Sequence, residues 1–250
     1  MKIMHFGIFS LYFSKKILYY DNGKKNLTTL EEKMAKNNLT RNQLRRLPSY
    51  LHLLKNLSGS GMKYISCQTI ASCLDLNKEQ VRKDIALISS IDGIPNKGRD
   101  INLLIKDIET ILGYDDTHNA FIVGVGSLGT AFMHYKGFEN FGLKIICAFE
   151  KNPTMVDTKI DDKPVYDIEK LNGETLNELN AKIGIISVPA TAAQEVADKM
   201  VEAGVEAIWN FAPIKLVLPK DIIVSNMDLA ASLAVLSHQL YLKKHKKESN

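Results

Sequence analysis

Three glycines in the middle of the chain have the spacing of a phosphate-binding loop. Gly124, Gly126 and Gly129 follow an apolar stretch, residues 120–123, and precede a helix-prone one. The first glycine allows a tight turn, the second lets the backbone approach a pyrophosphate, and the third lets helix pack on strand. Phosphate then binds at the N-terminus of that helix, where N–H groups and the helix dipole favour negative charge. The predicted loop contacts are Gly124, Val125, Gly126, Ser127, Leu128 and Gly129.

Residues after the other predicted strands can complete the same site, because ligands bind such sheets beyond the carboxyl ends of the strands. Glu150 ends the second predicted strand, where a carboxylate accepts hydrogen bonds from the adenine ribose hydroxyls and repels a ribose phosphate. NAD(H) is therefore favoured over NADP(H). Without the glycine motif, Glu150 would read equally well as a surface carboxylate. The remaining predicted cofactor contacts are Val188, Pro189, Ala190, Asn210, Phe211, Ala212 and Pro213.

The sequence offers no evident acid, base or nucleophile for this site. His52, His134 and His238 have no evident carboxylate partner, and no motif supplies a Lys or Cys nucleophile. The three cysteines lack metal-ligand spacing and are too few for a disulfide framework, which favours a reducing cytoplasm. We therefore predict no catalytic residue, no metal site, and a protein that senses its nucleotide.

Short apolar stretches alternate with helix-prone ones in the second half of the chain. This alternation predicts an α/β fold with a doubly wound, Rossmann-type parallel sheet. The predicted strands are 120–125, 144–149, 183–188, 207–211 and 222–225. The predicted helices end at Tyr135 or run over 168–179 and 190–203.

A small basic segment precedes the sheet. Residues 40–99 hold ten Lys or Arg against four Asp or Glu, an excess typical of nucleic-acid binding. Leucines at helical spacing predict a first helix, in which Pro48 either opens the main body or introduces a kink. Ser66 can cap a second helix, and Asn77 with Gln80 resembles a capping box that opens a third.

Two helices joined by a short turn, the later one basic on its outer face, form the geometry that enters the major groove of DNA. A plain helical bundle with solvated charges is the alternative. The predicted DNA contacts are Lys78, Gln80, Arg82 and Lys83 on the later helix and Lys97 and Arg99 on a wing.

The sequence therefore divides into five parts. Residues 1–36 read as neither a signal peptide nor an amphipathic helix, and are disordered, or untranslated if synthesis starts at Met34. A winged-helix domain (37–99), a linker helix (100–118) and a Rossmann domain (119–226) follow. The last part, 227–250, is a helix with a basic tail. Its apolar stripe must pack on its own sheet or on a partner subunit.

Seven short motifs taken together resemble the Rex family of redox-sensing transcriptional repressors, over nearly the whole chain from Leu39 to Leu242. The motifs are Arg46-Leu47-Pro48-Ser49-Tyr50, Val81-Arg82-Lys83-Asp84-Ile85, residues 122–129, Tyr135-Lys136-Gly137-Phe138, Val188-Pro189-Ala190, Asn210-Phe211-Ala212-Pro213 and Met227-Asp228-Leu229-Ala230. The resemblance implies a homodimer with winged-helix domains on double-stranded operator DNA and Rossmann domains that bind NADH and NAD+. It also implies that NADH releases the repressor from redox and fermentation genes, and that the last helix is swapped into the partner subunit.

By the same resemblance, Arg46, Tyr135 and Asp228 match the residues that couple the nicotinamide site to the DNA-binding domain. The nicotinamide ring of NAD+ is cationic and that of NADH is neutral. A unit charge in a partly buried site changes nearby interactions by on the order of several kcal/mol, so a Tyr hydroxyl and an Arg–Asp pair can respond to it. The alternatives are that Arg46 binds phosphate, Tyr135 only packs and Asp228 only caps its helix.

Two stretches depart from the family pattern. Residues 88–99 lack the usual Phe-Gly and basic glycine-rich wing, which puts the operator preference in question. Phe149-Glu150-Lys151 stands where two aspartates are common. Two other functions fit the same sheet: an NAD-dependent oxidoreductase, and a protein that binds CoA or another adenine nucleotide.

Overall fold

The computed structural model describes residues 39–227 and 229–248, and the chain divides into two compact units between Gly113 and Tyr114. The predicted extension, residues 1–36 with Met34, lies outside the described residues. So does Asp228.

Helices dominate the described part of the first unit. They are α1 (Arg41–Gly59), α2 (Cys67–Leu74), α3 (Lys78–Ile88) and α4 (Ile101–Ile111). Pro48 lies inside α1 without ending it. Ser66 caps α2 by accepting a hydrogen bond from the Thr69 N–H at 3.0 Å, as its position predicts. Asn77 caps α3 in the same way.

The first unit has its own apolar core. Its buried side chains include Leu47, Leu51 and Leu54 of α1, Ile70 of α2, Val81, Ile85 and Ile88 of α3, and Ile101, Leu104 and Ile108 of α4. Helix α4, which the sequence assigns to a linker, packs against α1. Each helix contributes one apolar stripe, and removing these stripes from water is the main force that holds the unit together.

A small antiparallel wing is formed by a strand before α2 and a strand after α3. Strand β1 (Tyr64–Ile65) pairs with β2 (Arg99–Asp100), and Ile94 bridges Gly98 at the turn between α3 and β2. Gly98 has a φ of +93°, and a methyl group on it would overlap the carbonyl oxygen of Ile65. Only glycine therefore fits at this position of the wing.

The second unit is built on a seven-stranded sheet with the order β5-β6-β4-β3-β7-β8-β9. The strands are β3 (His118–Val123), β4 (Leu143–Glu150), β5 (Lys159–Ile160), β6 (Lys163–Asp167), β7 (Ala181–Ile186), β8 (Ala207–Asn210) and β9 (Ile223–Asn226). Neighbouring strands are parallel except β5 and β6. The predicted α/β class with a parallel sheet is confirmed.

Helices cover both faces of this sheet. They are α5 (Ser127–His134), α6 (Gly173–Glu178) and α7 (Ala190–Glu202), with 3-10 turns at Lys136–Phe141 and Ile168–Lys170. Alternate residues of β3 enter two separate cores: Phe121 packs with Ala197 and Met200 of α7, and Ile122 packs with Met133 of α5. This alternation follows from the two-residue period of a strand that is buried on both faces.

Two features differ from the sequence prediction. Strands β5 and β6 occupy a stretch in which no strand was predicted. The helix predicted over 168–179 is wrong in its continuity, because Leu171 and Asn172 interrupt it and Asn172 caps the shorter α6.

The last described element is α8 (Leu229–Glu248). Leu233 and Leu236 are each 62% exposed, and Leu240 is 53% exposed. These leucines give α8 an apolar surface that the described residues of this chain leave largely exposed to water.

Candidate functional site

The loop between β3 and α5 has the close contacts that its glycines predict. Gly124 has a φ of +93°, and a Cβ on it would lie 2.7 Å from Val188 and 3.1 Å from the carbonyl oxygen of Ser187. A methyl group on Gly129 would overlap the carbonyl oxygen of Gly124. Gly126 faces open space and begins α5 without a side-chain cap. Because the first N–H groups of a helix lack intrahelical partners, this uncapped start can bind an anion.

Glu150 lies at the end of β4 and bonds directly to the glycine loop. Its Oε2 accepts a hydrogen bond from the N–H of Val125 at 2.8 Å. Its Oε1 accepts hydrogen bonds from the N–H groups of Lys151 at 2.7 Å and Asn152 at 3.0 Å. The carboxylate therefore ties the loop to β4 and is positioned beside the place predicted for the ribose.

A cavity of about 340 Å³ opens beside this loop, at the carboxyl ends of the strands. Three predicted contacts line it: Gly124, Glu150 and Val188. Sequence reasoning missed the apolar side chains of Ile168, Ala192 and Val196 and the charged ones of Lys151, Asp167, Glu169, Glu195 and Lys199. Apolar walls with a charged rim suit a flat ring that carries polar substituents.

The two other predicted loops are held by polar side chains, one partly buried and one fully buried. Ser187, just before the Val188-Pro189-Ala190 segment, donates a hydrogen bond to the carbonyl oxygen of Gly124 at 2.7 Å. Asn210 is fully buried. Its Oδ1 accepts from the N–H of Ala212 at 2.9 Å, and its Nδ2 donates to Asn226 Oδ1 at 2.9 Å and to the carbonyl oxygen of Ile214. Asn210 therefore shapes the Phe211-Ala212-Pro213 loop from inside.

An aromatic cluster lies on the α5 side of the sheet. Phe132 contacts Trp209 and Phe211, at centroid distances of 6.1 and 4.7 Å, and Phe138 contacts Trp209 at 5.7 Å. Tyr135, which is half exposed, packs edge-on against Phe138 at 4.8 Å.

The ring of Tyr135 also covers Gly137 so closely that a Cβ at Gly137 would overlap its Cζ and hydroxyl oxygen. Gly137 has no positive φ. Glycine is therefore needed at this position because the Tyr135 ring lies so close, and not because of the backbone conformation.

Helix α3 presents its basic residues outward. Lys78, Arg82 and Lys83 are exposed, and Arg82 forms an ion pair with Glu79 at 2.8 Å. Gln80 is only partly exposed and points toward Arg46; with its amide oxygen turned that way, it lies 2.8 Å from Arg46 Nη1. The Gln80 side chain therefore faces α1 and not its own cap at Asn77.

The two predicted wing contacts differ from each other. Lys97 is exposed at the turn, 6.0 Å above the ring of Tyr64. Arg99 is largely covered, and its Nη1 donates to the hydroxyl of Ser89 at 2.7 Å and to the carbonyl oxygen of Ile91. Arg99 therefore stabilises the base of the wing, and its contact with DNA stays a prediction.

A buried polar cluster joins α1 to α3, and sequence reasoning missed it. Asp84 is 2% exposed and accepts hydrogen bonds from Arg46 Nε at 2.7 Å, Arg46 Nη2 at 2.9 Å, the Tyr50 hydroxyl at 2.8 Å and Gln43 Nε2 at 3.2 Å. We call these four residues the Asp84 cluster. The signal in the sequence was the place of Asp84 between Val81 and Ile85, on the apolar face of α3.

The cluster changes the pKa values of its members. Burial alone would raise the pKa of Asp84, but the hydrogen bonds from Arg46, Tyr50 and Gln43 outweigh it, so the pKa is lowered. Burial, and then the hydrogen bond to Asp84, raises the pKa of Tyr50 to about 12. The carboxylate is therefore ionised and the phenol is neutral at physiological pH.

Over residues 39–227 and 229–248, no group of three or more His, Cys, Asp or Glu side chains comes together as a metal site would require. In the same part of the chain, no helix has the length and apolar character needed to cross a bilayer.

A helix-turn-helix with a wing, followed in the same chain by a parallel sheet with a dinucleotide-type loop, defines a DNA-binding regulator that responds to a nucleotide. The chain is 42% identical to the redox-sensing transcriptional repressor Rex of Treponema denticola, over 80% of this chain and 95% of that protein. It is 40% identical to Rex of Desulforamulus reducens, over 79% and 93%. The chain belongs to the Rex family of redox-sensing transcriptional repressors.

Solved structures agree with this assignment. RSP, a Rex-family repressor in complex with β-NAD+ and operator DNA, is 33% identical with a TM-score of 0.77, covering 84% of this chain and 96% of RSP. RSP in complex with β-NADH is 32% identical with a TM-score of 0.75, covering 85% and 99%.

Two family models also match. Residues 39–86 match "Putative DNA-binding protein N-terminus", and residues 115–214 match "CoA binding domain". The resemblance to Rex and the prediction of a regulator rather than an enzyme are confirmed.

Proposed function

We propose that this chain is a cytoplasmic repressor that binds double-stranded operator DNA when NAD+ or no dinucleotide is present, and leaves it when NADH binds. Through this binding and release it controls genes of redox and fermentative metabolism. One observation carries the proposal: a glycine loop tied to Glu150 occurs in the same chain as a helix-turn-helix with a basic outer face. The two RSP complexes, with β-NAD+ and operator DNA and with β-NADH, support it.

Gel-shift titration on the DNA upstream of the chain's own coding sequence tests this function. We expect a complex that NADH dissolves and an equal concentration of NAD+ leaves intact. A complex that CoA dissolves and NADH does not would favour the alternative of a CoA-binding protein. Steady oxidation of NADH with a small carbonyl substrate would favour an oxidoreductase.

The dinucleotide is proposed to bind along the carboxyl ends of the strands. Its pyrophosphate lies at the start of α5. Its adenosine lies in the cavity beside Glu150, which accepts hydrogen bonds from the ribose hydroxyls. The contacts that we propose are residues 124–129, Glu150, residues 188–190 and residues 210–213.

The DNA is proposed to meet the outer face of α3 and the wing, through Lys78, Gln80, Arg82, Lys83, Lys97 and Arg99. Lys83→Ala is expected to weaken binding to all sequences alike and to lower the salt slope of log K by about 1, because one phosphate contact is lost. Affinity measured at several salt concentrations checks this.

Lys106→Ala is the matched control, since Lys106 is also exposed but lies on α4. An unchanged salt slope in Lys83→Ala would mean that this face of α3 does not meet the phosphates.

Arg46, Tyr135 and Asp228 are proposed to carry the redox state of the nicotinamide to the DNA-binding unit. Gly137→Ala tests the part of Tyr135. The added methyl displaces the Tyr135 ring from Gly137, and the fold survives because the exposed end of that ring can move. We expect the NADH concentration that releases DNA to change about tenfold, equivalent to about 1.4 kcal/mol.

Gly173→Ala is the control, because a Cβ on Gly173 meets only ordinary contact at 3.7 Å. If Gly137→Ala released DNA at the wild-type NADH concentration, the Tyr135 ring would have no part in the switch.

The protein is proposed to be a homodimer in which α8 packs on the partner subunit. The exposed Leu233 and Leu236 support this, since burial of each is worth about 1.5–3 kcal/mol. Light scattering is expected to give twice the chain mass of 28.0 kDa. Leu233→Asp with Leu236→Asp should give the single mass, whereas His238→Asp should not.

A further inference from the structure

The carboxylate of Asp84 is buried although α3 is the helix whose outer face carries the proposed DNA contacts. Asp84 is 2% exposed, and Lys83, the preceding residue, is exposed. Two consecutive side chains therefore lie on different faces of α3, one toward the core and one toward solvent. A rotation or shift of α3 that changed how Asp84 is held would also move the surface that Lys83 presents.

Every donor to Asp84 in the cluster comes from α1. Gln43, Arg46 and Tyr50 are separated by three and four residues, so they lie on one face of α1. Their four hydrogen bonds, of 2.7–3.2 Å, converge on one carboxylate. The Arg46 fork bonds to both oxygens, which fixes direction as well as distance.

The apolar contacts of the first unit do not fix the position of α3 in this way. Leu47 and Leu51 of α1 and Val81 and Ile85 of α3 are buried, and their burial is favourable in many slightly shifted arrangements because the hydrophobic effect is not directional. Hydrogen bonds to a planar carboxylate weaken steeply when they are misaligned. The Asp84 cluster therefore selects one arrangement of α3 on α1.

Stability alone does not explain such a cluster, because a buried ion pair is often no more stabilising than well-packed apolar side chains of the same volume. We propose that Asp84 is a positioning residue for DNA recognition: it fixes the height and rotation of α3 on α1 at which the exposed face of α3 matches the operator. This inference rests on the proposed function in one respect, that α3 is the helix that meets DNA.

The test is a triple variant, Arg46→Met with Tyr50→Phe and Asp84→Leu, which replaces three of the four members of the cluster by apolar side chains of similar volume at unchanged net charge and leaves the partly exposed Gln43 in place. We expect the denaturant midpoint to equal or exceed that of the wild type. We expect the ratio of operator affinity to random-duplex affinity to fall at least tenfold. The affinity for random duplex and its salt slope should stay at wild-type values, because every proposed phosphate contact is retained.

All affinities are measured without dinucleotide, so the switch does not enter. Lys83→Ala is the contrasting control, because it lowers the affinity for operator and random duplex together. If the triple variant fails to fold, Asp84→Asn under the same protocol replaces it, with a fall in the ratio again expected. A folded variant that keeps the wild-type ratio overturns the inference. A wild-type protein that does not prefer its own upstream DNA over random duplex instead rejects the proposed function.

Discussion

A protein that carries Gly129→Ala is expected to lose NADH binding by about 100-fold or more, equivalent to about 3 kcal/mol. The Cβ would overlap the carbonyl oxygen of Gly124 and come within 2.8 Å of Ser187 Oγ. Both neighbours are fixed, so the loop itself must move away from α5. The expected loss corresponds to about two charge-assisted hydrogen bonds from the start of α5 to the pyrophosphate. Overpacking should also cost about 1–3 kcal/mol of folding stability.

Trp209, the only tryptophan of the chain, provides the measurement. Energy transfer from its indole to bound NADH is expected to quench tryptophan emission in the wild type and to leave it unchanged in Gly129→Ala. Gly126→Ala separates the effect of a methyl group on NADH binding from its effect on folding stability, because Gly126 faces open space. We expect that variant to keep its stability and still bind NADH more weakly. Wild-type affinity in Gly129→Ala would contradict the proposed loop.

Asp84→Ala is expected to destabilise the first unit by about 3–5 kcal/mol, because removing one partner of a buried pair leaves the other without compensation. Arg46, Tyr50 and Gln43 would all lose their acceptor. Urea unfolding followed by circular dichroism measures this. Asp92→Ala is the control, since Asp92 is fully exposed and its ion pair with Arg99 is long, at 4.0 Å. The unfolding midpoint of this variant should not move. Equal midpoints for the two variants would contradict the prediction.

The same carboxylate gives a pH dependence of known sign. The folded-state pKa of Asp84 lies below the ordinary value of 3.8. Its contribution to stability is therefore present above that value and is lost as the pH falls through the folded-state pKa. Asp84→Asn should flatten the acid branch of the stability curve. A branch as steep as that of the wild type would point to other carboxylates.

The glycine loop was predictable because its signal is local. The residue types at 124, 126 and 129, with a strand before and a helix after, determine the turn within six residues. Glu150 was predictable in position, since it ends a recognisable strand. Its hydrogen bond to Val125 was not, because that bond depends on the register between β3 and β4, which no local pattern contains.

The Asp84 cluster and β6 were not predicted from the sequence, for two different reasons. In a segment rich in charge, an aspartate is read as surface, and only the helical phase of Val81 and Ile85 would have placed Asp84 inside. In β6, a single residue, Val165, is fully buried, so the strand has no alternating apolar pattern. Asp167 of the cavity was missed for the same reason.

The buried amide of Asn210 has a consequence for how this part of the protein can change in evolution. It bonds to the N–H of Ala212, just after β8, and to Asn226, the last residue of the neighbouring β9, and the Asn210 carbonyl oxygen accepts from the N–H of Met227 at 2.8 Å. Insertions at the exposed residues 219–221 would lengthen a loop whose two ends are held by the pairing of β8 with β9. Such a change costs little, since doubling a loop adds only about 0.6 kcal/mol. We therefore expect the protein to tolerate a change in the length of this loop but not a substitution of the buried Asn210.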